Sequence, residues 1–494
     1  MDQKIIDNKH GFAIFPSVKI MNFVTDDDGT KKLKWVKHLI FGDWIGLNLG
    51  ADGQPVYEVH NNIQYVNVRG RNCSGLIEPH EIQPNRILEL NFVDVGQGDG
   101  CHVVTPENKH YIIDAGVSDN MFRYLRWRFN LNKAGNFPPP MDVVISHSDE
   151  DHYAGFTKIF EHTKEGRKTF NIKKVYHNGM VEKSGTHPST LGTLITSHNK
   201  SYITDLCQSE ADYQARITSQ PLKHGQYIKM LQKTTAEKIG IWAGLPDLDT
   251  DSTKMEILGP VTQDIFGKAA LPVFDSNKGK TKNGHSVILK LTVGKVKMLL
   301  GGDLNEPAED HLMKHYTGAD LPVLRKGLKL PDPAQRQNAE NAIRAAVLQA
   351  RTVFQTDIAK SCHHGSSDFT SEFMDALNPI ATVISSGDEE PHCHPRPDTL
   401  GTIGKYSRGL RSLIFSTELA RSTPEFLKKT QNTNTAAPIT KERLVTVYGM
   451  INMRTDGEKI IIAQKLEAAA DRGAWDIHEI TWNSVLNEFE YHFF

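Results

Sequence analysis

The chain has 494 residues, 38% of them hydrophobic and 23% charged, with a formal net charge of −2. That length exceeds one ordinary core, so two domains or one large decorated domain are expected, and the composition is that of a soluble globular protein. No run approaches the ~20 apolar residues of a membrane helix. Met1 to Asp7 lack the apolar core of a signal peptide. Five scattered cysteines (Cys73, Cys101, Cys207, Cys362, Cys393) form no CxxC pair, which fits reduced thiols in a cytoplasmic protein.

In chain order, residues 1–85 read as short strands between turns: Lys37 to Phe41, Val56 to Val59 and Tyr65 to Arg69. The stretch Tyr65 to Ile82 resembles bacterial SH3-like barrels, which implies a small binding or docking module; the alternative is a β-rich decoration covering a domain edge. From Leu88 the strands are short and apolar with Gly-rich turns: Leu88 to Val95, His102 to Thr105, Tyr111 to Asp114 and Val143 to Ser146. Residues 155 to about 253 mix polar helical and loop patterns and read as a helical and loop insertion over one face. Strands resume at Ser286 to Leu291 and Lys297 to Leu300, and Gln337 to Val353 carries Ile343, Ala346, Val347 and Ala350 at helical spacing. A strand at Ile380 to Ser385 follows. Lys428 to Thr440 reads as a polar linker. Leu444 to Met453 and Lys459 to Gln464 then flank the hairpin turn Thr455-Asp456-Gly457-Glu458. Two basic clusters, one at Lys164, Arg167, Lys168, Lys173 and Lys174 and one at Lys278, Lys280 and Lys282, read as solubilising surface.

The chemistry concentrates in His147-Ser148-Asp149-Glu150-Asp151-His152, which follows the apolar run Met141 to Ser146. Imidazole and carboxylate are common ligands of zinc and manganese. A loop leaving a strand end can bring His147, Asp149 and Asp151 into one space while His152 turns back toward them. Four further strand ends repeat the design: Asp114-Ala115-Gly116, Gly301-Gly302-Asp303, His363-His364-Gly365-Ser366-Ser367 and His392-Cys393-His394-Pro395. One such turn is ordinary polar loop chemistry. Five that all offer metal-type ligands, in a layered α/β fold whose loops leave the strands at one edge, point to a metal site.

In this order Asp94-Val-Gly-Gln-Gly-Asp99, Ile112-Ile-Asp-Ala-Gly116, His147-x-Asp-x-Asp-His152, Leu299-Leu-Gly-Gly-Asp303, His363-His-Gly-Ser366 and His394-Pro395 resemble the metallo-β-lactamase superfamily. Within it, they resemble the metallohydrolase domain of ComEC-type DNA-uptake competence proteins. The resemblance covers about residues 88–415. It implies an αββα sandwich over 86–425, with the insertion at 155–253, and a C-terminal hairpin and tail at 441–494 that complete it. It also implies two divalent ions, zinc or manganese with magnesium as a further option. His147 and Asp149 would serve the first, Asp151 and His152 the second, with Asp303 bridging and His364, or else His363, completing the second. Asp114 would support the ligands, as would Asp94, Asp99 and Ser366 around the site floor, and Asp151 would orient the nucleophile or accept its proton. His394 is the candidate general acid, with a plain turn role as the alternative. Two departures stand out. Asp149 replaces the usual second histidine, a harder ligand that shifts preference toward manganese or magnesium. No third-motif histidine is evident; His285 and His177 are candidates, though each also reads as an ordinary strand-end or insertion residue.

The resemblance thus implies a metal-dependent phosphodiesterase, with DNA as the foremost substrate and a regulatory partner docking through residues 1–85 or the insertion. An effector nuclease of a bacterial defence system would fit that need for restraint. No membrane channel is legible, so DNA uptake itself is not expected. The alternatives are a hydrolase of a small phosphodiester or ester, such as a cyclic nucleotide, and a metal-free binding scaffold. Near-neutral charge favours the former slightly; the full set His147, Asp151, His152 and Asp303 speaks against the latter.

Overall fold

A computed structural model describes residues 1–25, 29–219, 223–276, 278–387, 392–417, 427–429, 441–443, 450–470 and 473–492. Two sheets lie face to face. The first has ten strands, in the order Glu237–Gly240, Ile172–His177, Met141–Val144, His110–Ala115, Gly100–Val104, Leu88–Phe92, Ile451–Thr455, Lys459–Ala470, Gly473–Asn483 and Glu488–Tyr491. The second has six, in the order Lys254–Gly259, Ile288–Val293, Val296–Leu300, Ile358–Lys360, Ala381–Ile384 and Leu413–Ser416.

Side-chain alternation along these strands builds the layers. Tyr111 and Ile113 point between the sheets, into a core shared with Leu90, Phe92, Leu289, Met298, Leu300 and Val383, whereas Ile112 points outward. Beyond the first sheet, Ile112, Val143 and Val175 pack on the helices Asn120–Arg128, Phe156–Glu161 and Gln226–Leu231. Beyond the second, Ile288 and Leu299 pack on Glu306–Thr317, Pro333–Phe354 and Ser371–Leu377. The result is the αββα sandwich that the motif order implies.

The long helix starts earlier than its apolar spacing indicates, at Pro333, because Asp332 caps it by accepting a hydrogen bond from the Ala334 amide at 2.9 Å. Its buried face is Ala339, Ala346, Val347, Ala350 and Phe354, with Ile343 half-buried.

The reading of 155–253 as one insertion is corrected. Phe156–Glu161 belongs to the outer helical layer, and Ile172–His177 and Glu237–Gly240 extend the ten-stranded sheet in parallel register. Lys173, Lys174 and Lys238 interrupt the apolar pattern of these two strands, which obscures them in the sequence. The excursion is instead a four-stranded sheet of Thr193–Ser197, Lys200–Thr204, Lys268–Pro272 and Gln263–Ile265, which runs past residue 253.

Residues 10–83 form an eight-stranded sheet with its own core of Val18, Ile20, Ile45, Leu47, Val66, Val68 and Ile77. It meets the sandwich through Ile40, Phe41 and Ile87 against Ile461 and Ala463, and the Trp475 indole donates to the His38 carbonyl at 3.0 Å. The expected hairpin joins Ile451–Thr455 to Lys459–Ala470. Residues 430–440 of the expected linker and 444–449 of the expected strand lie outside the described residues. Among the described residues no helix is long and apolar enough to cross a membrane.

Candidate metal centre

The parallel strands His110–Ala115, Met141–Val144, Val296–Leu300, Ile358–Lys360 and Ala381–Ile384 carry Asp114 and deliver the loops bearing His147 to His152, Asp303, His363 and His364, and His394 to one edge of the sandwich. Asp151, His152, Asp303 and His364 bring one ligand atom each within 4.8 Å of one another. His152 Nε2 and His364 Nε2 lie 3.2 and 3.1 Å from Asp303 Oδ1 and 3.3 Å from each other. Asp151 completes the group, 3.9 Å from His152 Nε2 and 3.7 Å from His364 Nε2.

The outer ring nitrogens fix this arrangement. His152 Nδ1 sits 2.8 Å from Asp114 Oδ2, and Asp114 Oδ1 accepts the Ser146 amide at 2.8 Å. His364 Nδ1 sits 3.0 Å from the Ser385 carbonyl and 3.1 Å from Asp99 Oδ1. With each Nδ1–H directed at an acceptor, both Nε2 lone pairs face the centre, the orientation that metal-ligating histidines require. Asp99 is held in turn by the buried ammonium of Lys360. Asp114, His363 and His364 all take left-handed backbone conformations (φ 55°, 48° and 54°), which aim these side chains out of the strand ends. The loop Asp94 to Asp99 lies directly under Asp151. A Cβ on Gly98, whose φ is +101°, would stand 1.7 Å from the Asp151 carbonyl oxygen, so only glycine permits this approach.

The donors suit a divalent cation. Asp303 Oδ1 is buried and meets only the two imidazole Nε2 atoms, so its charge is met only by a cation, either a protonated ring or a metal ion. Burial opposes charge on His152, yet Asp303 and Asp114 outweigh it and hold its pKa well above the ordinary histidine value. For His364, Asp303 and Asp99 likewise overcome burial and raise it to about 10. Burial also works against the charged form of Asp99, but Lys360 and His364 lower it to about 2. Four carboxylates (Asp99, Asp114, Asp151, Asp303) surround the two imidazoles beside the Lys360 ammonium, and the field that favours positive charge on the rings also favours a cation among them. Two imidazoles and two carboxylates are a donor set for zinc or manganese.

His363 stands outside this cluster. Its Nε2 is 3.9 Å from Asp303 Oδ2, and its ring is partly exposed, so the geometry favours His364 of the two. The His394 ring flanks the open side, with centroids 6.2 Å from His364 and 5.8 Å from His363. Asp94 and Ser366 brace their own loops by accepting the Gly96 and Asp368 amides at 3.0 and 3.2 Å. His147 is fully buried; its Nδ1 meets Ser146 Oγ and Ser286 Oγ at 3.1 and 3.3 Å, and its Nε2 lies 3.4 Å from Asp149.

Neither candidate third-motif histidine reaches the site. His285 Nε2 lies 2.7 Å from the Pro272 carbonyl, the ring stacks on Phe274, and burial lowers its pKa to about 3. His177 Nδ1 accepts the Gly179 amide at 3.0 Å, and burial lowers it to about 4. Both are buried, neutral histidines, since burial disfavours the charged ring.

The reading of Lys278 and Lys282 as surface is also corrected. Lys282 is 8% exposed and pairs with Asp149 and with Glu182, and Lys278 pairs with Glu182 at 2.5 Å. Lys282, Glu182, Lys360 and Ser286 were not singled out as site residues from the sequence. The one available signal for Lys282 is its place four residues before Ser286, at the entry to an apolar strand where the third motif would fall.

No family model matches the chain. Among curated proteins it is similar to ComE operon protein 3 of Bacillus subtilis (strain 168), 20% identical over 333 residues; the match covers 65% of this chain but only 31% of that protein. Among solved structures it is similar to Tm1679, a metal-dependent hydrolase of the β-lactamase superfamily. That pair is 11% identical, covers 66% of this chain and 95% of the other, and has a TM-score of 0.30. Igni18, a metallo hydrolase from the hyperthermophilic archaeon Ignicoccus hospitalis, is 13% identical, with 67% and 95% covered and a TM-score of 0.31.

Proposed function

We propose that this chain is a metal-dependent hydrolase that cleaves phosphodiesters, with DNA as its substrate. The observation that carries the hydrolase reading is the convergence of Asp151, His152, Asp303 and His364, with both histidines held from behind by Asp114 and Asp99. A divalent cation held by these four residues would polarise a phosphoryl oxygen and acidify water. Asp151, at 18% side-chain exposure, is the cluster residue that reaches solvent, and its Oδ2 accepts a hydrogen bond from Gln97 Nε2 at 3.4 Å. It is placed to take a proton from a nucleophilic water. His394, at the open side, is placed to return a proton to the leaving oxygen. DNA is favoured by the motif order shared with the ComEC-type domain. The small-diester reading keeps one observation on its side: the Lys278 and Lys282 ammonium groups are engaged by Glu182 and Asp149 and are not presented to a nucleic-acid backbone.

The test compares wild type and Asp151→Ala, each with manganese or zinc, on plasmid, single-stranded DNA, RNA and bis-p-nitrophenyl phosphate. Wild type is expected to cleave DNA and the variant to lose ~10²–10⁴-fold in rate, the usual worth of a positioned acid–base group. Cleavage of the small ester alone would overturn the DNA assignment, and equal activity of the two proteins would overturn the site.

A further inference from the structure

His147 Nε2 and Asp149 Oδ2 converge at 3.4 Å beside the cluster, a two-donor start to a second cation position, and the buried His147 Nε2 has no hydrogen-bond partner. The cation already there is a side chain. Lys282 pairs with Asp149 Oδ1, lies 3.2 Å from Glu182 Oε2 and 3.5 Å from the Ser148 carbonyl, and so directs its three N–H bonds at three acceptors. Glu182 is further tied to Lys278 and to the Ser148 hydroxyl, so two ammonium groups meet two carboxylates and this flank is electrically balanced. The balance ends two residues further on, at Asp151, which joins Asp303 in the neighbouring acid-rich group.

We propose that the Lys282 ammonium stands in the second cation position, so that the centre takes a single divalent ion, among Asp151, His152, Asp303 and His364. This rests on the metal-hydrolase reading above. It differs from the two-ion site implied by the sequence, and its physical basis is the replacement of a divalent charge by a fixed, tethered one that needs no ligand exchange. A lysine saturated by protein acceptors also explains why Asp149 is tolerated where an imidazole is usual: a carboxylate pairs with an ammonium and a neutral imidazole does not.

Metal content and electron paramagnetic resonance of manganese-loaded protein test this without recourse to activity. Wild type should bind about one manganese per chain with the spectrum of an isolated ion. Lys282→Arg should match it. Lys282→Ala leaves Lys278 on Glu182 and frees Asp149 Oδ1 beside His147, and it should take up about two ions with the spectrum of a coupled pair. Two ions on wild type, or one on Lys282→Ala, would overturn the lysine assignment while leaving the metal centre intact. No manganese on wild type would instead overturn the hydrolase reading. The wild-type value decides between these even if Lys282→Ala fails to fold.

Discussion

Asp303→Asn is expected to abolish catalysis by at least about three orders of magnitude, ~4 kcal/mol of barrier, and to remove high-affinity manganese binding. Asp303 is the residue on which the cluster converges, with its Oδ1 within 3.2 Å of both imidazole Nε2 atoms. Burial works against its charge, yet His152, His364 and His363 hold its carboxyl well below the ordinary range, which favours the anion. Asparagine keeps the volume and the main chain. The residue's own amide still donates to Ser286 Oγ at 3.0 Å, so the Gly301-Gly302-Asp303 turn should survive. Calorimetric titration with manganese, alongside circular dichroism of the metal-free protein, separates loss of the cation from loss of structure. Unchanged manganese affinity in this variant would contradict the assignment of the cluster.

The second large effect is on stability. Glu89→Ala should cost about 3–5 kcal/mol, the usual consequence of stranding one side of a buried ion pair. Glu89 is 2% exposed and lies 2.8 Å from Arg86, 2.7 Å from Arg128 and 3.5 Å from Arg454, the last of these almost wholly enclosed. Arg454 also donates to Asn91 Oδ1 at 2.9 Å and to the Leu90 carbonyl at 3.3 Å, tying Ile451–Thr455 to Leu88–Phe92 across the middle of the ten-stranded sheet. Burial opposes ionisation of Glu89, but Arg128, Arg454 and Arg86 together lower its pKa to about 2. A depressed carboxyl contributes stability that is complete above its unfolded value, about 4.3, and is lost as pH falls toward 2, here ~3 kcal/mol. Urea unfolding measured between pH 5 and 2 should therefore show a steeper acid decline for wild type than for Glu89→Ala. Parallel declines would contradict this account.

The centre was legible where chemistry is local. Asp303 and His364 follow buried strands within four residues, and His152 closes the ligand-rich loop that begins at His147 where the apolar run 141–146 ends. What the sequence hid lies at long range. Lys360 holds Asp99 from 261 positions away, and Lys282 sits more than a hundred positions beyond Asp149. A lysine reads as surface until the fold supplies its carboxylate. The same bias concealed Ile172–His177 and Glu237–Gly240, whose lysines break the apolar pattern although the strands lie in the main sheet. The choice of His364 over His363 was equally beyond the sequence. Both have left-handed backbones, and only the contacts to Asp99 and Ser385 turn one ring inward.

The central claim is that Asp151, His152, Asp303 and His364 hold a catalytic divalent cation. Anomalous diffraction from manganese-grown crystals, recorded on both sides of the manganese edge, tests it most directly. The account predicts a peak within coordination distance, ~2.0–2.2 Å, of all four side chains. Manganese bound elsewhere in the crystal, with no peak among these four residues, would contradict it.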